Sequence, residues 1–167
     1  QDIQKESAAV AERINARFGR GAYKPIILVA QHHEPEQVYE LFRAADVGIV
    51  SSLHDGMNLV AKEFVAARDD EQGVLILSNF AGASRELLEA LIVNPFDARA
   101  TADAIDRALR MPPDQKRERM RLMRESVSEN NIYYWAGRML LDASRIRKRN
   151  RIESNIASVG GKGMNDA

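Results

Sequence analysis

The residues that could do chemistry concentrate in one stretch, Ser51-Ser52-Leu53-His54-Asp55-Gly56-Met57-Asn58-Leu59-Val60-Ala61-Lys62-Glu63. It follows a short apolar run and leads into helical spacing at Leu59, Val60, Phe64 and Ala67. Gly56 brings no Cβ, so a ligand can approach its backbone. The N–H groups near Met57, Asn58 and Leu59 would open the new helix, where no intrahelical acceptor exists. Such a helix start favours a phosphate or diphosphate. Asp55 would repel that anion and suits sugar hydroxyls better. Glu63, about one to two turns into the helix, is placed to accept from a ribose diol. A plainer reading stays open on the residues alone: Asp55 or Asn58 is an N-cap and Glu63 a solvated surface group.

Other candidates are weaker. Phe80-Ala81-Gly82-Ala83-Ser84-Arg85-Glu86 is a second tight turn whose small residues allow close backbone or ligand approach, or simply open a helix capped by Ser84. His32-His33 are adjacent imidazoles with no third ligand at metal-binding spacing, so loop histidines are the expectation. His54 beside Asp55 resembles a catalytic pair, but adjacent residues rarely bond productively and no nucleophile elbow is present. Glu63 and Glu86 have no separation set by the sequence and make a poor hydrolase pair. The run Arg145, Arg147, Lys148, Arg149, Arg151 reads as a solvated helix end.

These residues need a scaffold. Ile26-Ile27-Leu28-Val29-Ala30, Val47-Gly48-Ile49-Val50, Val74-Leu75-Ile76-Leu77 and Leu91-Ile92-Val93 are short β-rich apolar runs, the pattern of strands buried on both faces. Helical stripes are predicted over Ile3–Phe18, from Glu34-Pro35-Glu36 to Ala45, over Leu59–Ala67, Ser84–Ala90, Ala98–Leu109, Asp114–Arg124 and Ile132–Ile152. In the Asp114–Arg124 helix Leu122 and Met123 are the expected anchors. In the last helix Trp135, Met139 and Leu140 form the expected apolar face. Strands alternating with helices argue an α/β parallel sheet with helices on both faces. Ligands of such sheets bind beyond the carboxyl ends of the strands. The expected organisation is one domain over 1–152 and a flexible tail over 153–167.

The chain has 167 residues, 24 Lys+Arg, 24 Asp+Glu and no cysteine. Zero net charge argues against whole-surface attraction to nucleic acid or anionic membrane. Without cysteine, disulfides, thiolate catalysis and Cys-based zinc sites are excluded. No apolar run approaches the roughly 20 residues that span a bilayer, and the polar start Gln1-Asp2-Ile3-Gln4-Lys5-Glu6 is unlike a signal peptide. A cytoplasmic location is the expectation.

Taken in order, Asp55-Gly56-Met57-Asn58-Leu59-Val60-Ala61-Lys62-Glu63, Gly73-Val74-Leu75-Ile76-Leu77-Ser78, Phe80-Ala81-Gly82-Ala83 and Val93-Asn94-Pro95-Phe96-Asp97 resemble the trehalose-6-phosphate synthase family from about Ile3 to Ile146. The resemblance implies the C-terminal, donor-binding, Rossmann-like half of a GT-B fold. It implies a retaining glycosyltransferase that moves glucose from UDP-, GDP- or ADP-glucose to glucose 6-phosphate, with no metal or cofactor. Asp55, Gly56 and Met57 would hold the donor sugar, Asn58 and Leu59 the diphosphate, and Glu63 the ribose. The family's donor-phosphate Arg and Lys, and its acceptor-binding N-terminal domain, would lie upstream, so no complete catalytic set is expected in this chain and it alone should not turn over. Family members often carry Arg where His54 stands. Two alternatives are a glucosylglycerol-phosphate synthase-like transferase and a non-catalytic module that keeps the fold. The last helix would pack on the N-terminal domain, leaving Tyr133, Tyr134 or Trp135 exposed here and the chain able to form a homo-oligomer.

Overall fold

The computed structural model describes residues 2–160, and the side chains of 3–153. The chain divides into two compact units, Gln1–Val38 and Tyr39–Ala167.

In the first unit, α1 (Asp2–Phe18) ends before Gly19. The Asn15 side chain then holds the backbone of Ile26: its Nδ2 donates to Ile26 C=O at 2.8 Å, and Ile26 N–H donates to its Oδ1 at 2.9 Å. The predicted strand at Ile26–Ala30 is absent, which corrects the sequence expectation. A strand exists only through a neighbouring backbone; here a side chain occupies the groups of Ile26, and Ile27, Leu28 and Val29 stand exposed. The next helix, α2 (Pro35–Ala44), opens with Pro35 and Glu36 as its sequence predicts, and from Tyr39 on it belongs to the second unit.

The second unit carries the sheet. Three parallel strands, β1 (Val47–Val50), β2 (Val74–Ser78) and β3 (Leu91–Val93), lie in that order. Val47 pairs with Val74, and Ile76 with Leu91. The central strand explains the continuous apolar run: all of its residues are buried. Its alternate side chains enter two different cores. Leu75 and Leu77 join Ala61, Phe64 and Val65 of α3 (Leu59–Ala67) and Met120 and Met123 of α5 (Pro113–Glu129). Val74 and Ile76 join Ala108 of α4 (Ala98–Leu109) and the neighbouring Met111. Helices therefore cover both faces, as an α/β parallel sheet requires.

Three boundaries differ from the sequence reading. The predicted helix at Ser84–Ala90 is a single 3₁₀ turn, Gly82–Arg85, with Ser84 inside it and no side-chain cap. The facing loop takes the first amides of this turn: Gly82 N–H donates to Asp55 C=O at 2.9 Å and Ala83 N–H to Met57 C=O at 2.7 Å. Helix α5 runs on to Glu129, because Met120, Met123 and Val127 continue the buried stripe beyond Arg124; Met120, not Leu122, is the second deep anchor. Helix α6 spans Ile132–Gly160, so part of the predicted tail is helical; the rest of that tail, 161–167, lies outside the described residues. The expected apolar face of α6 is uncovered, with Met139 and Leu140 exposed.

Two arginines seal helix ends. Arg68, only 4% exposed, donates through Nη1 to the carbonyls of Phe42 and Arg43 at 3.2 and 2.8 Å, and to that of Ala45. Its Nε and Nη2 both bond Asp70 at 2.9 Å. The last carbonyls of α2 thereby gain partners that the helix cannot supply. Arg124 does the same for α3, donating to Val65 and Ala66 C=O at 3.1 and 2.7 Å.

Candidate functional site

The site grows from the carboxyl ends of β1 and β2. Beyond the strands, Asp55 N–H donates to Phe80 C=O at 3.2 Å, and Asp55 pairs with Ala81 as an isolated parallel bridge. Asp55–Asn58 and Phe80–Ala83 are thus one unit of backbone. A Cβ added to Gly82 would lie 2.1 Å from Gly56 O, so the approach of the two loops requires glycine there. A Cβ on Gly56 would meet nothing within 4 Å. Nor does Gly56 have positive φ. Neither the turn nor its packing demands glycine at 56; the space it leaves open is outside the protein.

Asn58 starts the helix. Its backbone is left-handed, φ 74° and ψ 89°, a conformation asparagine tolerates better than most residues. Its Oδ1 accepts from Ala61 N–H at 2.9 Å, an N-cap that uses one of the helix's orphan amides. Its Nδ2 donates to Asp55 Oδ2 at 3.0 Å and to Ser52 Oγ at 3.1 Å. The amides of Leu59 and Val60 gain no acceptor among the described residues, and they point the positive end of α3 out of the fold. Both residues are exposed.

The Asp55 carboxylate is held by its own turn. Met57 N–H donates to Oδ1 at 3.1 Å, so a sugar would have to share that amide. The Met57 amide first, then the Asn58 side chain, hold the Asp55 carboxyl below its ordinary value; the Asn58 amide and the charge of His54 add smaller pulls. Asp55 is therefore ionised at neutral pH. A carboxylate has about four lone-pair sites, and two remain for a ligand's hydroxyls.

Glu63 sits on α3 at the wall of a groove of about 370 Å³, shared with Tyr39, Arg43, Ala66, Ala67 and Asp69. Arg43 Nη1 and Asp69 Oδ2, 3.0 Å apart, close one side of it. The turn at Asp55–Leu59 lies at the start of α3, and the groove at Glu63 runs along its C-terminal half and the loop after it. None of the turn's residues lines the larger groove, about 580 Å³, between β3 and α4.

The remaining candidates fall away from this centre. Lys62 is buried and bonds Glu86 Oε2 at 2.7 Å, with its Nζ 5.9 Å from the Trp135 ring centroid; Glu86 is committed to that pair and not to Glu63. His32 and His33 belong to the first unit. No cluster of three His, Asp or Glu side chains able to hold a metal occurs among the described residues. Phe80 and Phe96 meet edge to face at 6.0 Å beyond β2 and β3. Sequence reasoning placed Ser52 in the chemistry-bearing stretch without a role and missed Tyr39, Arg43 and Asp69. Tyr39 and Arg43 come from α2, distant in sequence from Glu63.

A parallel sheet covered on both faces, with a capped helix start and an acid beyond its carboxyl ends, is the plan of a Rossmann-like domain. The comparisons with known proteins are more specific. The model of glycosyltransferase family 20 matches residues 1–145. A trehalose-6-phosphate synthase of Enterobacter sp. (strain 638) is 45% identical over 157 residues, covering 93% of this chain and 33% of that protein. One from Klebsiella pneumoniae is 44% identical over 162 residues, covering 95% and 34%. Among solved structures, the E. coli chain bound with UDP-2-fluoro glucose superposes with TM-score 0.82 at 43% identity, over 85% of this chain and 32% of that one. The synthase of Burkholderia xenovorans in complex with glucose-6-phosphate gives 0.82 at 45%, over 85% and 32%. The chain belongs to glycosyltransferase family 20, and it spans about a third of the length of the curated relatives it matches.

Proposed function

We propose that this chain is the donor-binding half of a retaining glycosyltransferase that moves glucose from a nucleotide-glucose to glucose 6-phosphate. The observation that carries the reading is the Asp55–Glu63 turn: free amides of Leu59 and Val60 at a helix start, an ionised Asp55 beside them, open space over Gly56 and Glu63 farther along the same helix. The amides meet the diphosphate, where negative charge grows as the nucleotide departs. Asp55 takes hydroxyls of the sugar, with Gly56 leaving room for it. Glu63 takes the ribose diol.

The likeness to a structure bound with UDP-2-fluoro glucose supports a uridine donor, and the likeness to one holding glucose-6-phosphate supports the acceptor. A relative studied for glycosyl transfer with retention supports the stereochemistry. In this reading the diphosphate is stabilised by backbone amides and by groups of an N-terminal partner domain, without a metal or cofactor. The site is cytoplasmic, where sugar phosphates reside. No helix among the described residues is long and apolar enough to cross a membrane. The exposed Tyr133, Met139 and Leu140 of α6 are the face on which the partner domain, or a second copy, packs.

Calorimetric titration with UDP-, GDP- and ADP-glucose tests the proposal. Binding of one nucleotide-glucose above its free nucleotide is expected; indifference to all three, with simple phosphate bound as well, would overturn it.

A further inference from the structure

We propose that Asn58 and Ser52 are positioning residues that lock the Asp55 carboxylate in the orientation a donor hexose meets. The inference rests on the reading of Asp55 as a sugar-hydroxyl acceptor and adds the residues that hold it in place.

Asn58 is only 7% exposed, and every polar group of its side chain has a partner. Oδ1 accepts from Ala61 N–H at 2.9 Å. The two Nδ2 protons go to Asp55 Oδ2 at 3.0 Å and Ser52 Oγ at 3.1 Å. The geometry needs an amide: the oxygen end faces an N–H, and the nitrogen end faces a carboxylate and a hydroxyl. Aspartate would keep the cap but set a second negative charge against Asp55. Alanine would lose the cap and resist the positive φ. Ser52, two residues past the end of β1, accepts the second Nδ2 proton and so fixes the amide plane.

The Asp55 carboxylate is thus tied at both oxygens, to Met57 N–H at 3.1 Å and to the Asn58 amide. Its rotamer is set before a ligand arrives, and its unused lone pairs point where those two donors do not. A site held to its productive geometry by supporting hydrogen bonds loses binding when that support is removed, even though the contacting group remains. The same side chain caps α3, so one residue aligns the sugar-accepting acid with the diphosphate-accepting helix start.

Asn58→Gly is the informative variant. Glycine accepts the positive φ, and a glycine N-cap costs only a few tenths of a kcal/mol, but the clamp is gone. The quantity to measure, on the 167-residue chain, is the ratio of UDP-glucose to UDP affinity. Loss of a charge-assisted bond that orients the acid lowers that ratio about tenfold in Asn58→Gly and by a smaller factor in Ser52→Ala. A general structural role would lower both affinities together and leave the ratio unchanged, and that result overturns the proposal. A second readout needs no ligand: the Asp55 carboxyl followed by carbon NMR through an acid titration, with its ionisable neighbour His54 replaced by Gln in every sample. Its pKa rises toward the ordinary 3.8 in Asn58→Gly. An identical titration with and without the amide overturns the clamp. Wild-type chain indifferent to UDP-glucose would instead bring down the reading of the site, with the titration still deciding whether the clamp exists.

Discussion

Gly82 and Gly56 stand so close that a Cβ on Gly82 would lie 2.1 Å from the Gly56 carbonyl oxygen. The two glycines do opposite jobs. Gly82 is small because the protein presses on it. Gly56 is small although nothing in the protein does.

Substitution separates these causes. Gly82→Ala forces the two loops apart and breaks the Gly82 N–H bond to Asp55 C=O, a strained close contact that costs about 1–3 kcal/mol in overpacked sites. Thermal unfolding should show the loss. Gly56→Ala should unfold within about 1 kcal/mol of wild type, because glycine and alanine differ by no more than that in the chain's own freedom, yet bind UDP-glucose at least about tenfold more weakly. Equal affinity would mean that the open space over Gly56 is not a ligand's.

Glu63 tests the ribose assignment. Glu63→Ala removes an ionised acceptor, and a hydrogen bond to a charged group is worth about 1.5–3 kcal/mol, so UDP affinity should fall by about tenfold or more. Asp55→Ala should reduce UDP-glucose affinity more than UDP affinity. Calorimetry with both ligands on both variants gives the pattern; a Glu63→Ala chain that binds UDP as wild type does would remove Glu63 from the site.

The pH dependence follows from the depressed Asp55 carboxyl. A lowered folded-state pKa means that the stabilisation from this group is present above its unfolded value and is lost as pH falls through the folded one. Sugar-dependent affinity should therefore be flat across the neutral range as far as Asp55 is concerned, and fall only below the ordinary 3.8. In Asp55→Asn no such acid limb should remain. A loss of wild-type sugar affinity beginning above pH 5 and absent from Asp55→Asn would contradict the turn's hold on the carboxylate.

Arg68 shows how the groove beside Glu63 keeps its wall. It ties the end of α2 to the loop after α3 through bonds to Phe42, Arg43 and Asp70. Arg68→Ala leaves carbonyls unpaired around a vacated buried site, and the cost should be about 3 kcal/mol. Arg68→Lys should rescue little, because an ammonium cannot bridge the carbonyls and the carboxylate as a planar fork does. Chemical denaturation of both variants measures it; a lysine variant as stable as wild type would show that the fork is unimportant.

Much of this was legible in the sequence. The bounds of α3 and α4 follow from their apolar stripes, and Asn58 reads as a cap candidate, while the Asp97 cap of α4 shows only in the structure. β2 reads directly because both faces are covered, so each of its residues is apolar or, like Ser78, buried at the end. The turn at Asp55–Asn58 is visible through residue type alone. What stayed hidden depends on partners distant along the chain. Ile26–Ala30 has a strand's composition but no backbone neighbour, so composition misled. Ser84–Ala90 has a helix's composition, but the chain makes only a 3₁₀ turn over Gly82–Arg85, docked by its first amides on Asp55 and Met57. The engagement of Ser52 with Asn58, and of Lys62 with Glu86, depends on side-chain directions that spacing does not fix.

The most direct test of the donor-binding account is isothermal titration of UDP-glucose and UDP into the wild-type chain and into Asp55→Ala. The account predicts saturable binding of both ligands to wild type, tighter for UDP-glucose, with that preference erased in Asp55→Ala while UDP still binds. Equal affinities of wild type and Asp55→Ala for UDP-glucose, or no preference for it over inorganic phosphate, would contradict the account.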